Sequence, residues 1–114
     1  MEEVELTSTQ KAIVNWKKRN PEKVKEHTRR GKLKANFGIT IEEYDEMLYW
    51  QGGCCAICAK PQDTFVRKFA VDHNHTTGKI RGLLCVNCNT AIGKLDDDVV
   101  LLERAISYLE RSNG

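Results

Sequence analysis

Apolar residues recur at helical spacing through the first third of the chain. Thr7 and Gln10 form a capping-box pattern ahead of Ala12, Ile13 and Trp16, which predicts a first helix over Ser8–Arg19. Asn20-Pro21 restarts the backbone, with Asn at a capping position and Pro suited to the first helical site, and predicts a second helix over residues 21–35. Chiefly Val24 and Leu33 are apolar there, so most of that helix must meet solvent or a partner. Gly38 closes it, and a second capping box, Thr40 with Glu43, opens a third amphipathic helix carrying Ile41, Tyr44, Met47 and Leu48 up to Gly52-Gly53. Beyond these glycines the pattern changes. Residues 65–71 and 79–84 are rich in apolar and β-branched side chains, and Thr76-Thr77-Gly78 supplies a turn between them, which predicts a hairpin. A short helix over 85–94 follows, and Asp96 to Asp98 cap a last helix in which Val99, Leu102, Ile106 and Leu109 share a face, with Leu101, Ala105 and Tyr108 alongside. The glycine pair divides this α+β chain into a basic helical extension over 1–51 and a second domain over 52–114.

At 114 residues the chain has room for a modest core that a structural metal would help to stabilise. No apolar run approaches the roughly 20 residues of a membrane span, and the N-terminal segment lacks the order of a secretory signal, so the expected location is the cytoplasm, that of a host if the chain is phage-encoded. Net charge is only +2, yet Lys11 to Lys34 holds ten Lys or Arg against two Glu. A basic segment on a near-neutral remainder suits a polyanion, and nucleic acid is the commonest inside cells. Lys23, Lys25, Arg29, Arg30 and Lys32 are the candidate DNA contacts; a solvated charged helix is the simpler alternative.

Four of the five cysteines fall as Cys55-x-x-Cys58 and Cys85-x-x-Cys88. Two intervening residues let one tight turn aim both thiolates at a single ion, and two such turns complete a tetrahedral zinc site. Cys54 is left over as a spare thiol or, with Gly52-Gly53 beside it, an alternative ligand. The hairpin fills the 26 residues between Cys58 and Cys85, so zinc would pin both of its ends.

Within the hairpin lies Asp72-His73-Asn74-His75, and Asn89 follows the last of the four cysteines. Metal-assisted phosphodiester hydrolysis needs a base for water, a cation on the phosphate and groups that orient both. His73 is the candidate base, since an ordinary imidazole is largely neutral at physiological pH. Asp72 and Asn89 offer hard oxygens that suit Mg2+, while His75 would contact the phosphate or assist the leaving group. In an unbroken strand Asp72 would point away from His73 and His75, so this assignment requires a bend near Asp72. Two readings without catalysis stay open: a polar hairpin end with Asn89 capping a helix, and histidines completing the zinc site.

The stretch from Gly53 to Leu109, with CAIC, VDHNHTTGKIRGLLCVNCNTAIG and ERAISYLE, resembles the phage recombination endonuclease VII family of HNH nucleases. FGITIEEYDEMLYWQGG is similar to the lead-in of many members. The resemblance implies a zinc-anchored ββα-metal (His-Me finger) core with a helical N-terminal extension and a C-terminal helix. It implies structural Zn2+ on Cys55, Cys58, Cys85 and Cys88, a His73 general base, a catalytic Mg2+ or Mn2+ on Asp72 and Asn89, and His75 within the active site. The expected activity is endonucleolytic hydrolysis of DNA, with branched DNA among the candidate substrates. Only one helix follows the last cysteine pair, where junction-resolving members carry a longer helical region for dimerisation and junction binding. The basic helices then become the source of DNA affinity, and self-association into a homodimer stays open. Two rivals remain, a non-catalytic zinc-stabilised DNA-binding module and a zinc-built protein interaction domain.

Overall fold

The computed structural model describes residues 5–113, which divide into two compact units, the first ending at Glu43 and the second beginning at Tyr44. Three helices come first, α1 (Ser8–Arg19), α2 (Pro21–Phe37) and α3 (Ile41–Trp50), the last running from the first unit into the second. A short 3-10 turn at Gln62–Thr64 precedes an antiparallel pair, β1 (Ala70–His73) and β2 (Ile80–Leu84). Helices α4 (Val86–Lys94) and α5 (Val99–Asn113) complete the chain. Among the described residues no helix is long and apolar enough to cross a membrane.

In the first unit both reciprocal bonds of the Thr7–Gln10 capping box are present, at 2.8 and 3.1 Å. Asn20 closes α1 with its amide on the Trp16 carbonyl at 2.8 Å, and Pro21 opens α2. The Trp16 and His27 rings meet edge to face with centroids 6.3 Å apart, joining the two helices. Gly38 adopts φ 70° and donates its N–H to the carbonyls of Leu33 and Lys34, a left-handed helix end that glycine takes without penalty. Helix α2 therefore runs two residues past its expected end. Leu33 is its only buried side chain, as its composition requires.

The second unit is organised around β2. Leu83 is fully buried and pairs with Val71 across the ladder, but its own N–H and C=O point away from β1. Both are met by the side chain of Gln51, whose Oε1 accepts the Leu83 N–H at 2.9 Å and whose Nε2 donates to the Leu83 carbonyl at 3.0 Å. The N–H of Ala56 reaches the same carbonyl at 3.2 Å. One glutamine thus stands where a third strand would, and it needs Gly82 next to Leu83. A Cβ at Gly82 would approach Gln51 Oε1 to 3.3 Å, tighter than an ordinary contact. Tyr44, nearly fully buried, donates its hydroxyl to the Phe69 carbonyl at 2.6 Å and so anchors α3 to the start of β1. Phe69, Val71, Leu83 and Leu84 fill the remaining core, and α4 packs against both strands.

The first strand departs from its expected bounds. It begins at Ala70, not Phe65, because residues 65–69 have no strand partner, and it extends to His73. The amphipathic face of α5 departs too: Leu101, Leu102 and Ala105 are half-buried, whereas Val99, Ile106 and Leu109 are exposed. Only Asp98 caps this helix, accepting the N–H groups of Val100 and Leu101 at 2.8 and 3.4 Å.

The Gln51 clasp yields a stability prediction. Gln51→Leu leaves the buried Leu83 N–H without its acceptor, which costs about 1–3 kcal/mol. Urea unfolding of the metal-loaded protein should show a lowered midpoint at an unchanged slope.

Candidate active site and metal centre

The four cysteines come from two turns that meet. Around the first, the Cys55 N–H bonds the Lys60 carbonyl at 2.9 Å and the Ala59 N–H bonds the Cys55 carbonyl at 3.0 Å, with Ala59 in the left-handed region at φ 61°. The second turn opens α4: Cys85 is its N-cap, and its sulfur accepts the Cys88 N–H at 3.4 Å. The Sγ atoms of Cys55, Cys58, Cys85 and Cys88 all lie within 4.8 Å of one another, and Cys58 and Cys85 are 3.9 Å apart. Tetrahedral zinc with Zn–S bonds near 2.3 Å has sulfur–sulfur edges of about 3.8 Å, so the set fits zinc with little adjustment. Cys54 turns its sulfur to the Gly52 carbonyl at 3.3 Å and is no part of the cluster.

The thiols are electrostatically unequal. Burial opposes ionisation of Cys55, but N–H donors from Cys85, Cys58 and Ile57 outweigh it and lower the group to about 6. Cys88 goes the other way, pushed up to about 12 by burial and by the neighbouring sulfurs. One thiolate forms readily, and the last is resisted until a cation shares the site.

At the far end of the hairpin the ladder breaks. Asp72 pairs with Gly82, but His73 pairs with Ile80, so Arg81 is an extra residue on β2. The bulge lies on β2, so Asp72 and His73 remain consecutive residues of the continuous strand β1, and what the bulge re-aims is Arg81. Asn74 builds the turn beyond it, its Oδ1 accepting the N–H groups of Thr76 and Thr77 at 2.8 and 3.0 Å. The imidazoles of His73 and His75 then approach to 4.7 Å between centroids.

Asp72 is buried, and both of its carboxylate oxygens bind Arg81: Nε donates to Oδ2 at 2.6 Å and Nη2 to Oδ1 at 2.9 Å. Nη2 also reaches Asp97 Oδ2 at 3.2 Å, and the same oxygen lies 3.5 Å from His75 Nε2. The bonds from Asp72, and secondarily from Asp97, hold the Arg81 guanidinium more firmly protonated than usual. Asp72, Arg81, Asp97, His75 and His73 thus form one connected cluster. Asn89 ends the first turn of α4, half-buried, with its N–H on the Cys85 carbonyl at 3.0 Å. Asp96 and Asp97 are consecutive left-handed residues, at φ 57° and 53°, held by N–H bonds to the carbonyls of Gly93 and Ile92 at 3.0 and 2.9 Å.

Arg81 and Asp97 are functional candidates that motif spacing does not single out. The signal for Arg81 is a lone cation inside an apolar strand, between Ile80 and Gly82; Asp97 is hidden in an acidic run that reads as a helix cap. The candidate DNA contacts lie on α2, and at about 100° per residue Lys25, Arg29 and Lys32 fall within a stripe about 60° wide. Lys23 and Arg30 project from the opposite side, and Arg30 is bound by Glu42 at 3.2 Å and Glu26 at 3.3 Å.

A cysteine-clasped ββα hairpin with an acid–base cluster at its broken end defines the class of this module. Residues 30–111 match the family described as recombination endonuclease VII, and the chain belongs to that family. It is 43% identical over 81 residues to the Gene 59 protein of Mycobacterium phage D29, covering 70% of this chain and 48% of that protein. The Gene 59 protein of Mycobacterium phage L5 is 40% identical over 79 residues, 68% of this chain and 48% of the relative. The chain spans about half the length of these curated relatives. No solved structure matches it at a significant level.

Metal removal tests the centre directly. The chain should bind one Zn2+ or Co2+, the cobalt form showing thiolate charge-transfer absorption, and Cys58→Ser or Cys88→Ser should abolish that band and the cooperative thermal transition. Cys54→Ser should leave both intact. Because the folded Cys55 value is depressed, its contribution is present above the ordinary thiol range and is lost as pH falls through about 6. Because protons compete with the metal for the thiolates, metal affinity should fall as pH is lowered, and bound metal should hold the Cys55 thiolate to lower pH than in the metal-free chain.

Proposed function

We propose that this chain is a metal-dependent DNA endonuclease that hydrolyses phosphodiester bonds with His73 as general base. The observation that carries the reading, in a member of this family, is the bulge residue Arg81, which links the buried Asp72 through Asp97 to the adjacent imidazoles of His75 and His73. On this reading the cysteine clasp holds structural zinc, residues 52–114 form the nuclease domain, and residues 1–51 form a basic arm for DNA.

The chemistry of the donors suits a divalent cation. Asp72 already binds a positive group with both oxygens, and Asn89 adds a hard amide oxygen on a helix packed against the strands. Asp72 and Asn89 would hold Mg2+ or Mn2+, which when bound would supply positive charge for the scissile phosphate. His73 takes the proton from the attacking water at a ring nitrogen. His75, paired with Asp97, contacts the phosphate or supports the leaving oxygen. The Lys25, Arg29 and Lys32 stripe grips the backbone, with Lys23 and Arg30 as contacts on the opposite side. DNA is the partner; supercoiled plasmid and a four-way junction distinguish duplex from branched substrate.

His73→Ala should lower cleavage of either DNA about 10²–10⁴-fold with zinc content and DNA affinity near normal. Asp72→Ala should weaken the response to Mg2+, and the double variant should lose less than the product of the single losses. Full activity in His73→Ala refutes the base assignment; a wild-type chain that binds DNA but cleaves neither form is a binding module.

Salt dependence checks the arm. Replacing Lys25, Arg29 and Lys32 with Gln should flatten the slope of log affinity against log salt by about 0.9 for each phosphate no longer neutralised. An unchanged slope makes α2 a solvated helix.

A further inference from the structure

Arg81 is the least expected member of the cluster. As the extra residue of the bulge it is freed from ladder pairing, and its side chain is more than a third exposed, while the carboxylate it binds is buried. It lies in an open cleft of about 350 Å³ whose apolar wall includes Leu84, Ile92 and Leu102.

The geometry creates a conflict. Both Asp72 oxygens are engaged by the guanidinium at 2.6 and 2.9 Å. A magnesium ion needs a ligand oxygen at about 2.0–2.1 Å, and two cations on one carboxylate repel. Each oxygen keeps a second lone pair for a metal, but the repulsion between the ion and the guanidinium at such short range weakens the Arg81 bonds and favours their release. Asp97 gives the displaced group a pivot, since Nη2 already reaches its Oδ2 at 3.2 Å. A released guanidinium presents a planar fork of N–H donors that matches phosphate oxygens.

We propose that Arg81 is a positioning residue: it holds the Asp72 carboxylate until the divalent ion arrives, and then turns about Asp97 to bind a phosphate of the DNA. Arrival of the ion and capture of the backbone are thereby coupled through one side chain. The inference rests on Asp72 being a ligand of the catalytic ion, as proposed above.

The test uses the full zinc-loaded chain. Mn2+ binding without DNA, followed by electron paramagnetic resonance, should be at least about tenfold tighter in Arg81→Gln than in the wild type, because a charge-assisted competitor is gone. The same variant should show a salt slope for DNA binding lower by about 0.9, the equivalent of one phosphate. A residue that only stabilises the hairpin would leave Mn2+ affinity equal or weaker, and that result overturns the proposal. Should Arg81→Gln fail to retain zinc, the wild type decides: in a Mg2+ titration followed by NMR, the Arg81 Nε–H resonance should move with the same midpoint as the Asp72 carboxyl carbon. A responding carboxyl beside an unmoved Nε–H overturns the role of Arg81 alone. A silent Asp72 carboxyl overturns it together with the metal-site reading beneath it.

Discussion

Four sulfur atoms within 4.8 Å of one another are a costly arrangement without a cation, and the rest of the second unit hangs on it. The depressed Cys55 and the elevated Cys88 express that cost: the backbone prepares a place for the first negative charge but cannot accommodate the last. A divalent ion with soft-ligand tolerance converts the repulsion into a bond network. The consequence is positional. Cys55 lies before the hairpin and Cys85 directly after it, so closing the sulfur cluster fixes where β2 ends and where α4 begins. Because Cys85 is also the N-cap of α4, the orientation of that helix, and with it the location of Asn89, follows from the same clasp.

The apolar core could not do this alone. Among the described residues the fully buried large side chains are Tyr44, Leu83 and Cys85, and the sheet has only two strands. Such a ribbon is marginal in water without further support. Gln51 offsets the missing third strand on one edge, and Tyr44 ties the strand start to α3. Both are polar contacts to backbone, strong because they are buried and unforgiving for the same reason.

Much of this is legible in the sequence because it is written in local chemistry. Capping boxes at Thr7 and Thr40, Pro21 and Gly38 mark helix ends where the residues stand, whereas the Asn20 side chain, expected to cap α2, makes no cap bond there and instead donates back to the Trp16 carbonyl of α1. The cysteine pairs are equally plain, since two-residue spacing has few other uses. What stays hidden is non-local. The exposure of half of the α5 face, the strand-mimicking role of Gln51 and the partnership of Arg81 with Asp97, sixteen positions apart, depend on tertiary neighbours that no periodicity encodes. The start of β1 escapes a sequence reading for the same reason: residues 65–69 have strand-like composition but no partner, and composition cannot report pairing.

The bulge at Arg81 ties these levels together. A regular ladder would set Asp72 and His73 on opposite faces and leave the chemistry divided. The bulge lies on the partner strand, and its inserted residue bridges the division: Arg81 neutralises the buried Asp72 and reaches Asp97, which lies beside His75 and, through it, His73. Two carboxylates, Asp72 and Asp97, against one guanidinium leave the cluster with one negative charge in excess while both histidines are neutral. A divalent ion would reverse that sign and make the same cleft attractive to a phosphate diester, so that affinity for the polyanion rises as the ion binds. On the proposed function, the defect in the ladder is therefore what makes the hairpin both foldable without the catalytic ion and receptive to substrate with it.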